Sequence, residues 1–394
     1  MPHRSHVEID CPQKSHFEER ICGDVFLSGK VKEENRVVLV LSDGMGHGVK
    51  ANILATLTAT MALKFTEEHK APEKTAEIIM NTLPECSQRK ISYATFTVID
   101  INLNGITTIL EYDNPNALIF RDGKPFVPEW NCILLNSDRN SGKEIKVCSF
   151  RHHRGDRIIF TSDGITQSGL GTKEYPFGWG LENVSDYIEG ILKNNKHISA
   201  RQLASRILNI ANRNDNYHMR DDASVGSVFF REARKLLICT GPPYHQEDDK
   251  KLAAVVRDFD GKKIVMGATT GDILSRELGL KIQDKFDFQD TELPPVAYME
   301  GIDLMTEGIL TLAKVEDILR EYHPNTELGY GPADLILKMV RESDEIDIII
   351  GTRVNVAHQD PSLPVELEIR RTVVKRIAQL MEEKMLKEVN IRFI

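Results

Sequence analysis

Two hairpin signals restrict the fold of this chain more than any other feature. Asn104-Gly105 and Asp122-Gly123 interrupt runs rich in β-branched and aromatic residues: Ser92 to Asn102 (SYATFTVIDIN), Gly105 to Tyr112, and Ala117 to Phe120. Such dipeptides supply the positive φ angles of a tight hairpin, which joins antiparallel neighbours. Successive hairpins exclude a purely parallel, doubly wound sheet and favour antiparallel sheets covered by helices. Arg36 to Ser42 (RVVLVLS) and Arg157 to Ser162 (RIIFTS) read as buried strands, and Ala223 to Arg231 as a closing one. From Val49 to about Thr66, Ile53, Leu57, Met61 and Phe65 recur every four residues, which predicts a helix with that stripe on the core. Further helices are expected over Pro72 to Leu83, with proline at the start, and over Ser199 to Asn212.

The rhythm changes near Lys235. Leu236 to Thr240 and Lys263 to Met266 read as strands, Gln246 to Asp258 and Ile273 to Leu278 as helices, and about Pro364 to Val389 as a long charged helix. That alternation is an α/β pattern. A chain of 394 residues exceeds what one hydrophobic core usually organises. Two domains are therefore expected, residues 1–231 and a smaller α/β domain over 235–394.

Composition narrows the function classes. Lys and Arg total 50 against 59 Asp and Glu, a net charge of -9, which argues against a dedicated nucleic-acid binder. The first residues, MPHRSHVEID, hold no signal-peptide core, and no run approaches the roughly 18 apolar residues of a membrane span. Cysteines at 11, 22, 86, 132, 148 and 239 show no C-x-x-C spacing, so zinc ribbons, iron–sulfur clusters and disulfide frameworks find little support. A cytoplasmic protein with reduced thiols is the expectation.

Chemistry concentrates in four acidic segments: Cys22-Gly23-Asp24, Ser42-Asp43-Gly44, Ser162-Asp163-Gly164 and Asp221-Asp222-Ala223-Ser224. Asp43 and Asp163 follow apolar strands, where the sheet is rigid and the turn open. Hard divalent cations take oxygen ligands, which carboxylates at strand ends supply. A lone Asp-Gly is more often a hairpin turn than a ligand, and Asp122-Gly123 reads as such a turn.

The order and spacing of ERICGDVF, VLSDGMGHGVKAN, IFTSDGITQSG and MRDDASV, with YDNPNALIFRDGK between them, resembles the PPM metal-dependent serine/threonine protein phosphatases, in particular the SpoIIE branch, over about residues 4–231. The resemblance implies an α+β fold, a four-layer αββα sandwich of two antiparallel sheets flanked by helices, with two Mn2+ or Mg2+ ions at one end. It also implies roles. Asp43 matches the ligand bridging both ions and the Gly44 carbonyl a backbone ligand. Asp163 and Asp221 match carboxylates of the second ion, and Asp24 the acidic position of the first motif. Asp222 matches a supporting position, often Asn in relatives.

Met45 stands where some relatives carry the histidine that protonates the leaving group. His47 is chemically able to do so but is expected to cap or pack at the helix start. Arg20 matches phosphoryl oxygens bidentately, or pairs with Glu18 or Glu19. The basic run Arg151-His152-His153-Arg154 reads as a solvated loop. The turn GATTGD at 267–272 opens a helix whose N–H groups suit an anion, but it lacks the lysine of a phosphate-binding loop and reads as a βα connection; Thr306-Glu307-Gly308 reads as packing.

The resemblance thus implies a phosphatase that hydrolyses phosphoserine or phosphothreonine on a small phosphoprotein, such as an anti-sigma-factor antagonist, by activated water and without a phospho-enzyme. The alternative is a non-catalytic regulatory module on the same fold, with the carboxy-terminal domain as sensor.

Overall fold

The computed structural model describes residues 6–69, 72–82, 94–135, 142–284, 296–323, 326–353 and 363–394. The ends of two expected elements, at Ser92 and Leu83, lie outside these residues, as does Cys86. The chain forms two units, Met1–Glu232 and Ala233–Ile394.

Strands of the first unit are β1 (His6–Asp10), β2 (Gln13–Lys14), β3 (Val25–Val31), β4 (Arg36–Gly44), β5 (Ala94–Asn102), β6 (Ile106–Tyr112), β7 (Leu118–Arg121), β8 (Lys124–Phe126), β9 (Trp130–Leu134), β10 (Glu144–Arg151), β11 (Arg157–Thr161) and β12 (Ala223–Arg231). They make two antiparallel sheets, ordered β1-β12-β11-β7-β8 with β2 also on β12, and β3-β4-β5-β6-β10-β9. Asp122 and Gly123 both take positive φ, 53° and 80°, and turn β7 into β8. The helices are α1 (Gly48–Glu67), α2 (Pro72–Thr82), α3 (Asp163–Thr166), α4 (Leu181–Asn194) and α5 (Ala200–Asn214).

The apolar run of β4 is continuous because both of its faces are buried. Leu39 and Leu41 meet Ile158, Phe160, Val228 and Phe230 of the other sheet, forming the core between the sheets. Val38 and Val40 point the other way, onto Ala59 and Ala62 of α1 and Ile79 and Met80 of α2. Ile159 and Val225 pack outward on Val184, Ile188 and Leu192 of α4 and Leu203, Ile207 and Ala211 of α5. Each fully buried side chain of this kind contributes roughly 1.5–3 kcal/mol. The result is a four-layer αββα sandwich, as the sequence resemblance implied.

The face of α1 differs from expectation. Alanines turn inward, Ala51, Ala55, Ala59 and Ala62 being at most 1% exposed, while Ile53 and Leu57 are 60% and 44% exposed. Met61 and Phe65 only border the core. Close approach explains this: the Ala51 backbone lies where a Cβ on Gly44 would stand, so the helix packs on the sheet through small residues.

The second unit holds β13 (Lys235–Thr240), β14 (Lys262–Met266), β15 (Gln283–Asp284), β16 (Ala297–Met299), β17 (Ile302–Thr306), β18 (Glu345–Ile350) and β19 (Glu388–Phe393). Its helices are α6 (Asp249–Asp258), α7 (Ala268–Leu278), α8 (Ile309–Arg320), α9 (Pro332–Glu342) and α10 (Leu363–Met385). The sheet runs β15-β16-β17-β14-β13-β18-β19, parallel from β17 to β19. Leu252 and Val256 of α6 and Leu274 of α7 cover one face; Leu312 of α8, Ile336 of α9 and Ile377 of α10 cover the other.

Two boundaries depart from the sequence reading. Helix α7 starts at Ala268, five residues earlier, and the long final helix stops at Met385. The segment Glu388–Phe393 is an edge strand, whose alternating Val389 and Ile391 join the core. Among the described residues, no helix is long and apolar enough to cross a membrane.

Candidate metal centre

Sheet register brings the acidic segments to one end of the sandwich. Val25 at the start of β3 pairs with Ser42 near the end of β4, and Asp43 pairs with Thr95. In the other sheet, Thr161 at the end of β11 pairs with Val225 at the start of β12. Hydroxyls tie the two ends together: the Ser224 Oγ donates to Asp24 Oδ2 at 2.6 Å, and the Ser224 amide donates to Ser162 Oγ at 2.9 Å. Gln13 Nε2 donates to Ser224 Oγ at 2.9 Å, and the His16 amide to Asp222 Oδ1 at 3.0 Å.

Three glycines make this gathering possible. A Cβ on Gly23 would lie 2.6 Å from Asp222 Oδ2 and 2.9 Å from the Ala51 Cβ. One on Gly44 would strike the Ala51 carbonyl, and one on Gly164 the Asp222 carbonyl. The glycine beside each of these aspartates therefore lets a second segment of backbone or carboxylate press against it.

The carboxylates burden one another. Burial raises Asp24 to about 7, with Asp222 and Asp221 adding repulsion and the Ser224 and Ser162 hydroxyls opposing it. Burial, then the charges of Asp24, Asp163 and Asp221, hold Asp43 well above the carboxylate range. Asp163 is raised by burial and by Asp113, while sharing a hydrogen bond with Asp43. Burial and Asp163 raise Asp221 to about 6. The Asp24 Oδ1 and Asp222 Oδ2 atoms are buried without a partner.

This is an all-oxygen donor set short of positive charge, which fits a hard divalent cation. Asp24, Asp43, Asp163 and Asp221 would hold it. Among the described residues, no three Asp, Glu, His or Cys side chains are already arranged to hold a metal ion.

Other singled-out residues are placed as follows. Arg20 is exposed, and neighbouring Glu19 pairs with His47 Nδ1 at 2.8 Å instead. His47 occupies the N-cap position of α1 without a side-chain capping bond; its ring stacks on His16 at 4.5 Å and is among the influences that lower the Asp221 pKa. In the basic run, Arg154 pairs with Glu232, but His152 does not belong to a solvated loop. Its ring is 5% exposed, stacks on Phe230 at 4.1 Å and bonds Thr107 Oγ1 at 2.8 Å; burial lowers its pKa to about 4. The cysteines at 11, 22, 132, 148 and 239 are free.

Asp113, Ser162 and Ser224 were not assigned from sequence. Asp113 follows β6 with φ 60°, acts on Asp163, and lines a cavity of about 460 Å³ with Glu111, Asn114, Lys143 and Lys146. Its only sequence signal is the Asp-Asn pair within YDNPNALIF.

Comparison with solved structures finds similarity to several proteins, among them the following. The phosphatase domain of SpoIIE from Bacillus subtilis is 17% identical, with 59% of this chain and 95% of that chain covered, at a TM-score of 0.44. The RsbU and RsbW domains of a Mycobacterium tuberculosis protein are 18% identical, covering 65% and 69%, at 0.46. RsbX in complex with magnesium is 17% identical, covering 57% and 96%, at 0.40. No curated protein matches the chain. The family model of Stage II sporulation protein E (SpoIIE) matches residues 33–230, half of the chain, which makes this protein a member of the SpoIIE family.

Proposed function

We propose that the first unit is a metal-dependent protein phosphatase that hydrolyses phosphoserine or phosphothreonine in a phosphoprotein. One observation carries the reading. Carboxylates from four separate segments are buried against one another, and hydroxyl, amide and backbone donors meet them in place of Lys or Arg. Such repulsion is tolerated where a ligand supplies positive charge. Two Mn2+ or Mg2+ ions would provide a nucleophilic water at neutral pH and a clamp on the phosphoryl oxygens.

The chain's own residues do the rest. Asp43, at the centre of the mutual repulsion, would bridge the ions, aided by the Gly44 carbonyl; Asp24, Asp163 and Asp221 would complete the set. Ser224 and Ser162 orient Asp24, and Gln167 orients Asp163 through a 2.7 Å bond to its Oδ2. Exposed Arg20 is free to reach a phosphoryl group. The cavity beside Asp113, lined by both acidic and basic side chains, offers room for the residues flanking the phosphate. A small regulatory phosphoprotein of the anti-sigma-factor-antagonist kind suits the family, and the second unit would recruit it or sense a signal. The deciding experiment is turnover of a phosphoserine protein and of an aryl phosphate with manganese, with magnesium and with chelator. Full turnover in excess chelator would overturn the reading.

A further inference from the structure

The second unit repeats one small motif at the ends of two adjacent strands. Gly267-Ala268-Thr269-Thr270 follows β14, and Gly308-Ile309-Leu310-Thr311 follows β17. These strands are parallel, with Met266 opposite Thr306, so both motifs emerge at the same carboxy edge. In each, glycine is the N-cap of a helix and provides no side-chain capping bond. The first helical bonds run from Gly271 to the Gly267 carbonyl and from Leu312 to the Gly308 carbonyl. The amides of 268–270 and 309–311 precede those bonds and so have no partner within their helices.

The two N-termini face each other. A Cβ on Gly308 would lie 3.5 Å from the Gly267 Cα, and one on Gly267 would lie 3.9 Å from the Gly308 Cα. Their helices then part, since Leu274 of α7 packs on one face of the sheet and Leu312 of α8 on the other. The strand order reverses between β13 and β18, so the paired turns lie one strand away from that switch point, along the same carboxyl edge where open α/β sheets take their ligands.

A second observation points to a ligand. Thr270 and Thr311 are 1% and 0% exposed, and both hydroxyls lack a hydrogen-bond partner. The Thr270 Oγ1 lies 3.8 Å from the Cβ position of Gly267, over the N-cap itself. A buried hydroxyl left unpaired costs stability, and a matching acceptor removes that cost. Beside them, half-buried Glu307 carries an Oε2 buried without a donor. Unused donors at two positive helix ends suit a phosphate, while an unused carboxylate acceptor suits a hydroxyl or amino group on the same molecule.

We propose that the paired G-x-x-T turns ending β14 and β17 bind a small phosphorylated metabolite bearing hydroxyl or amino donors, of the sugar-phosphate or nucleotide class. Its phosphate takes the free amides and the two threonine hydroxyls, and Glu307 accepts from its donors. No lysine takes part, so the selectivity comes from geometry rather than from net charge. The inference does not depend on the phosphatase reading.

Calorimetry on the intact chain tests it, with AMP, ribose 5-phosphate and inorganic phosphate as probes and adenosine as the phosphate-free control. Excess chelator is kept present so that phosphate held through metal at the first unit does not contribute. Saturable binding is expected for AMP or ribose 5-phosphate and not for adenosine. Inorganic phosphate alone should bind more weakly, lacking donors for Glu307. Thr270→Val and Thr311→Val should each weaken binding about tenfold, and Thr270→Ser should retain it. Nitrogen-15 threonine labelling of the unaltered chain gives an independent readout, because the amides of Thr269, Thr270 and Thr311 should shift with AMP or ribose 5-phosphate. Absence of saturable binding by every phosphorylated probe, binding unchanged in both valine variants, or shifts confined to threonines of the first unit would each overturn the proposal.

Discussion

Buried carboxylates are treated in opposite ways in the two units. In the second, Asp249 is 1% exposed and meets Arg276 at 2.6 Å and Arg353 at 3.8 Å. Glu316, 5% exposed, meets Arg376 at 2.8 Å and also Arg320, which together lower its pKa. Even in the first unit, Asp156 is matched by Arg121 at 2.7 Å, away from the acidic end. At that end Asp24, Asp43, Asp163 and Asp221 are crowded together with raised pKa values. Asp249, Glu316 and Asp156 are each matched by arginine, whereas these four are raised together in one place, which is the crowding that the proposed metal site would require.

The largest expected effect concerns activity. Asp43→Asn and Asp163→Asn should each remove nearly all metal-dependent turnover on an aryl phosphate, whereas Asp122→Asn, in the β7–β8 turn, should stay close to the unaltered protein. Equal losses at 43 and 122 would mean that crowding does not mark function.

Stability should move with opposite signs in the two units. In chelator above neutral pH, Asp43→Asn removes a carboxyl whose ionisation burial and its neighbours oppose, and should raise the melting temperature. Arg276→Gln strips the buried Asp249 of its nearest cation and should lower it by several degrees. Were both variants to fall together, the first unit's aspartates would be structural rather than in need of a cation.

The pH dependence is smaller and follows from the same contrast. Asp24 titrates near 3.8 when unfolded and at about 7 when folded, so between these values the native state binds more protons. Metal-free stability of the first unit should therefore fall as pH rises through that window, with Asp43 and Asp221 acting in the same direction, and manganese should restore it. Glu316 has the opposite sign: its lowered pKa stabilises the second unit above the unfolded value, and that contribution is lost as pH falls through the folded one. Melts at about pH 5.5 and about pH 8, with and without manganese, read the first effect, and a melt taken below about pH 4.5 reads the second.

Legibility in the sequence follows the same physical lines. Where a pattern records burial directly it was readable: RVVLVLS became β4, RIIFTS became β11, and Asp122-Gly123 became a left-handed turn. The α1 stripe misled because large residues usually mark the core, yet here the close approach of Ala51 to Gly44 selects alanine and turns Ile53 outward. The charged end hid β19, since half-buried edge strands keep polar residues at alternate positions. At the candidate site, acidic segments were visible one at a time. Their links were not, because Ser224 reaches Asp24 across 200 residues and a single hydroxyl leaves no periodicity. Nor could a spacing rule tell that His152 stacks inside the core while Arg154 beside it pairs at the surface.

The smallest expected effect isolates burial from pairing. Lys262 and Glu342 in the second unit lie 2.8 Å apart, little farther than Arg276 and Asp249. The difference is solvent: the side chains of Lys262 and Glu342 are 47% and 62% exposed, while that of Asp249 is 2% exposed. Water screens the exposed pair, and ordering two long side chains offsets much of the attraction. Glu342→Gln should therefore leave the melting temperature within about 1 °C of the unaltered chain, at low and at high salt. A drop matching that of Arg276→Gln would show that contact distance, not burial, sets the worth of these pairs, and the raised carboxylates of the first unit would then lose their meaning as a mark of function.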